Sequence, residues 1–207
     1  MTIMLSAYVP AYATPVSVVV TGIQTASYYD PNSLLPFPVP DASTSWLLTF
    51  TYQGETPDSR PNDPVVGDFA GAITAISLTI GSNTFQPFAN NRVLVLNDNG
   101  NPDVGYSDVW QARTFDDASL QSSFGLTLLN FGGQAVNSDA LVAPSWPFPP
   151  WNFGSIEYVI GDPNTPNHAQ TSAQVTGLAV VPVPATFWLL GTACLGVMGS
   201  MRRKCSM

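Results

Sequence analysis

The sequence predicts an all-β protein, an antiparallel β-sandwich or jelly roll of about eight strands, followed by a single C-terminal transmembrane helix. Three observations carry this. Between Thr14 and Val181 the apolar residues recur with period two, the spacing of a strand with one buried face. The residues in those runs are β-branched and aromatic, which suit a pleated, half-buried surface. Clusters of Pro, Gly, Asn and Asp separate the runs, and no amphipathic helix or internal repeat competes with them.

Residues 1–13 read as a signal-peptide remnant. Ala11-Tyr12-Ala13 fits a small-x-small cleavage pattern, while MTIMLSAYVP lacks both a basic residue and a long apolar stretch. The bland alternative is a frayed terminus. The β domain then covers residues 14–180. Its first strand holds Val16, Val18 and Val20. Its second puts Trp46, Leu48, Phe50 and Tyr52 on one face, with Thr49, Thr51 and Gln53 on the other. Ile76, Leu78 and Ile80 alternate with Ser77 and Thr79 in the third. Residues 92–96 read as a strand buried on both faces, and residues 106–115 as another. Phe124-Leu126-Leu128, Ile156-Tyr158-Ile160 and the run from Val175 to Val181 complete the set. The punctuators between them include Asp30-Pro31-Asn32, Arg60-Pro61-Asn62-Asp63-Pro64, Gly132-Gly133 and Asp162-Pro163-Asn164. Residues 117–122 have room for one helical turn.

Charge narrows the function classes. The chain has 14 acids against six bases, a net charge of −8. Nucleic acid is excluded as a partner, because phosphate binding needs a basic footprint. All acids lie between Asp30 and Asp162, whereas three of the bases sit together near the end; the body keeps only Arg60, Arg92 and Arg113. Both cysteines, Cys194 and Cys205, lie outside the β domain, so neither a disulfide scaffold nor a cysteine zinc site is built into it.

No catalytic constellation emerges, and the chain reads as a non-enzyme. His168 is the single histidine, in a loop, and no Gly-x-Ser-x-Gly elbow offers a nucleophile. A glycosidase needs two carboxyls at a set separation, and Glu55 and Glu157 are the only glutamates among many aspartates. Asp98, Asn99, Asn101 and Asp103, with Asp108 close behind, group oxygen ligands as a calcium site does, and turn chemistry alone also accounts for them. Trp146, Trp151 and Phe153 stand in a Pro-rich stretch that either stacks on sugar rings or plugs one end of the sandwich.

The C-terminal segment, residues 181–207, carries the most specific signal. Residues 185–201 form a 17-residue run without charge, about 26 Å long as a helix and close to the roughly 30 Å of a bilayer core. Arg202, Arg203 and Lys204 follow directly and hold that end in the cytoplasm by the positive-inside rule. Pro182 and Pro184 stop a helix from extending upstream. Val181-Pro182-Val183-Pro184-Ala185, the apolar run and the basic tip together resemble a PEP-CTERM sorting signal of the VPxPA variety. Val183 stands where the usual form of that signal has Glu. The resemblance covers about residues 181–204. It implies an exported envelope or biofilm-matrix protein of a Gram-negative bacterium. Such a protein is tethered to the inner membrane, then processed by exosortase and sent to the cell surface or matrix. The expectation for the body is a structural or ligand-binding role with exopolysaccharide as a candidate partner; the rival is an extracellular carbohydrate-active enzyme on the same scaffold.

Overall fold

The structure, a computed structural model, describes residues 15–38, 40–97, 108–116, 122–133, 135–144, 151–162 and 164–182. Ten strands form: β1 (Val16–Tyr29), β2 (Ser45–Tyr52), β3 (Val66–Ala70), β4 (Ile73–Ile80), β5 (Asn83–Phe85), β6 (Asn90–Leu96), β7 (Asp108–Phe115), β8 (Ser123–Asn130), β9 (Phe153–Ile160) and β10 (Ala169–Pro182). All belong to one antiparallel sheet in the order β3-β6-β7-β8-β9-β10-β1-β2-β4-β5. The all-β expectation holds. The strands form one continuous sheet that curls around the core.

Two features impose the curl. β3 and β4 lie at or near opposite ends of the sheet, yet only Gly71 and Ala72 separate them. The ends must therefore meet. At this junction Gly71 takes a φ of +73°, open to glycine at no steric cost. Its N–H donates to the Asn91 carbonyl of β6 at 2.9 Å, and the Gln53 N–H after β2 donates to the Ala72 carbonyl at 3.0 Å. The second feature is the stagger of β1 and β10. β9 pairs only with Ala169–Gln174 of β10, and β2 only with Val16–Ile23 of β1. The β1–β10 ladder is interrupted once in each zone, at Thr21/Gly22 and at Gln24/Tyr28. Such bulges bend strands and raise the local twist, which lets long strands turn a corner.

The core fills the space inside the curl. Phe50 and Tyr52 of β2 meet Trp110 of β7 across it, with ring centroids 5.9 and 6.2 Å apart. Tyr158 of β9 stacks on Phe124 of β8 at 6.0 Å. From the β1–β2 loop Phe37 plugs one end, against Phe85 and Tyr158. Val18, Val20, Leu48, Leu78, Leu126 and Ile156 are fully or almost fully buried between these rings. Fully burying one such side chain contributes about 1.5–3 kcal/mol, so the core needs no disulfide.

Candidate functional site

Strand register, not sequence proximity, assembles the most chemically dense surface. Residues that alternate with the core positions of β6–β10 point outward and line up across the sheet. One row runs Arg92, Arg113, Gly125, Glu157, Ser172; the next runs Leu94, Gln111, Thr127, Ser155, Gln174. Gly125, Thr127 and Ser155 are the small residues at the centre, and the long polar side chains of Arg113, Gln111 and Glu157 stand around them. Gly125 matters here. A Cβ on it would lie 2.1 Å from the Ala112 carbonyl oxygen and 2.8 Å from Arg113 Cγ. The missing side chain is what lets Arg113 lie across β8 and reach β9.

Arg113 uses that path fully. Its guanidinium donates to Glu157 and, at 2.9 Å, to Thr127 Oγ1. Ser155 Oγ donates to the other Glu157 oxygen at 3.0 Å. Both charged side chains are mostly covered, at 18% and 24% exposure. Arg92, directly opposite Arg113, faces the Asp68 carboxylate at 3.6 Å and lies 5.3 Å over the Phe115 ring. Arg60 approaches the same carboxylate at 3.9 Å. The three cations of an acidic body thus converge on one face. Two arginines placed directly opposite each other repel, and the carboxylates of Asp68 and Glu157 offset this from either side. Phe153, on the same face of β9 two residues before Ser155, is 40% exposed and lies at the margin of the polar rows.

Of the residues singled out in the sequence, Phe153 alone presents a ring here. Trp151 is 2% exposed and faces the core, so it serves as the plug and not the platform. Trp146 lies outside the described residues. Asp108, at the start of β7, is fully buried, and its Oδ2 accepts the N–H groups of Ala135 at 2.6 Å and Val136 at 3.1 Å. Its carboxylate anchors the segment that follows β8. Asp98, Asn99, Asn101 and Asp103 lie outside the described residues, and among the described residues no cluster of three or more His, Cys, Asp or Glu could hold a metal. His168 stacks on Tyr29 at 4.5 Å and donates from Nδ1 to the Thr165 carbonyl, a loop contact. Val181 and Pro182 are the last two residues of β10; Val183, Pro184, Ala185, the 185–201 run, Arg202, Arg203, Lys204 and residues 1–13 lie outside the described residues. Among the described residues no helix is long and apolar enough to cross a membrane.

The sequence reading missed Gln111, Arg113, Thr127 and Ser155. One signal for Arg113 was available: an arginine mid-strand in a chain with so few bases. No family model, no curated protein and no solved structure matches this chain.

Proposed function

We propose that the chain is an exported cell-surface or biofilm-matrix protein. In this reading it binds exopolysaccharide through the outer face of β6–β10, with the curled sheet working as a β-sandwich. The observation that carries this is the polar face itself. A fixed Arg113–Glu157 pair, amide and hydroxyl side chains and an exposed ring supply the planar hydrogen-bonding groups and stacking surface that sugars need. The tail supplies the address. β10 ends at Pro182, three residues before Ala185 and inside the VPVPA motif, so the domain leads without a linker into the rest of that motif, the apolar transmembrane helix and the basic tip. Exosortase is the partner that this resemblance implies.

Binding is favoured over hydrolysis by the spacing of the carboxylates. Asp68 and Glu157 stand on strands four places apart in the sheet, about 19 Å at the usual strand spacing. Glycosidase pairs stand roughly 5–9.5 Å apart. The test is affinity electrophoresis through gels carrying a neutral glucan or a uronate-containing polysaccharide. Retardation by either gel that drops about tenfold in Glu157→Gln and Phe153→Ala is expected, each substitution removing a contact of about 1–1.5 kcal/mol. Migration of the wild type unaffected by both polysaccharides would sink the binding role. The address is tested apart from it, with a reporter after Met207, which should be active only in the cytoplasm.

A further inference from the structure

Among the described residues, several strand edges of the curled sheet are in a position to accept another strand, and three of them are obstructed. On β3, Asp58 Oδ1 accepts the Asp68 N–H at 2.9 Å and the Ser59 N–H occupies the Asp68 carbonyl at 2.8 Å. The Asp139 carbonyl also crosses 2.0 Å from where a Gly67 Cβ would sit. β5 is only three residues long. The far half of β1 is met by Thr44, whose carbonyl accepts the Gln24 N–H at 2.9 Å. Short edges and covered edges are the usual protections against unwanted pairing.

Among the described residues, the second half of β10 has none of them. The β9 ladder ends at the Gln174–Ser155 pair, so from Val175 to Pro182 the strand pairs with β1 alone. Residues 176–182, TGLAVVP, carry no charge, and the only proline is the last residue. Val180 shares the face of Val18, which is 1% exposed, yet Val180 itself is 41% exposed; Val181 beside it is 44% exposed. A core-facing valine left in water is a row of the core without its next strand.

We propose that this edge pairs with the same edge of a second copy, antiparallel about a two-fold axis, to make one sheet across two chains. Several features select that occupant. An antiparallel edge is complementary to itself under two-fold rotation, so one surface suffices. The segment is free of charge although the body is strongly acidic, so two copies meet where their repulsion is least. Gly177 and Ala179 on the outward side keep the joint flat, and the added strand would cover Val180. The inference is independent of the polysaccharide face, which reaches β10 only at Ser172 and Gln174, before the half that lacks β9.

The experiment is sedimentation of the full chain in detergent, with Cys194→Ser and Cys205→Ser to remove the native thiols. The mass of two chains is expected. Val180→Lys and Val181→Lys should each weaken self-association about tenfold or more, as an edge lysine does, with unchanged far-UV circular dichroism. Ala179→Cys should oxidise to a cross-linked dimer, and Asn62→Cys in the exposed β2–β3 loop should not. A wild type that sediments as one chain at every concentration would overturn the proposal. So would dimers that survive both lysine substitutions, which would place the contact in the tail or on another surface.

Discussion

Tyr52 sits at the centre of the core with a hydroxyl that no group among the described residues meets. Burial alone pushes its pKa up to about 12, because the phenolate would be stranded among Phe50, Trp110 and aliphatic side chains. Two consequences follow for Tyr52→Phe. Removing an unsatisfied buried hydroxyl while keeping the ring should stabilise the fold by about 1 kcal/mol at neutral pH. The alkaline limb should also flatten. Below pH 10 the phenol is neutral in both states; above it the unfolded chain ionises first, so stability falls until the folded phenol titrates near pH 12. That loss is on the order of 2 kcal/mol for this one group, and the variant lacks it. Tyr158 is also raised by burial, so some slope persists. Thermal melts of both proteins between pH 7 and 12 check the sign. A parallel pair of curves would mean that Tyr52 is solvated.

At the scale of elements, Gly125 couples strand packing to the candidate site. In Gly125→Ala the new Cβ would press on the Ala112 carbonyl, which is backbone and cannot swing away. β7 and β8 must part or shift, at a cost of about 2–3 kcal/mol, the usual range for overpacking. Arg113 would be displaced from Glu157 in the same step. The expected result is a melting point lowered by roughly 5–10 °C for a domain of this size, together with loss of polysaccharide retardation. What was legible in the sequence follows from the same geometry. Strands with unbroken alternation, such as β2 and β4 from Ile76 to Ile80, announce themselves because core and solvent sides differ at every step. β3 was missed because Gly67 and Asp68 interrupt a five-residue run, and β5 because three residues cannot show a period. β1 was read only as far as Val20. Beyond it the burial alternation keeps its phase but the residue types no longer match it, with Ile23 47% exposed and Gln24 buried. Gln24 is tolerated inside because it accepts the Trp46 indole N–H at 2.9 Å and donates to Thr171 at 3.0 Å. The polar face could not be read at all, since Arg113 and Glu157 are 44 residues apart and meet only through register.

The whole molecule is closed by its first and last strands. β1 and β10 run antiparallel from the Val16–Pro182 pair to the Tyr29–Gln170 pair, and they join the β2-β4-β5 side of the sheet to the β6–β9 side. Removing the second half of β10 therefore does more than shorten an edge. It strips β1 of its neighbour from Val16 to Gly22 and exposes the core-facing Val18 and Val20. The described strands end at Pro182, and the described core is drawn from the residues before it. A chain ending at Pro182 should thus fold, giving a β-rich spectrum and one cooperative transition, without detergent. A chain ending at Gln174 should not, because losing Val175 and Leu178 from the core and a half-strand of ladder exceeds the roughly 5–15 kcal/mol by which domains are stable. Closure between residues so far apart in sequence also predicts slow refolding of the Pro182 chain, in milliseconds to seconds and not microseconds. Circular dichroism of the two truncations and stopped-flow refolding of the longer one provide the measurements. If the Gln174 chain melted like the longer one, β10 would be an accessory edge, and the closed sheet would not be the unit that folds.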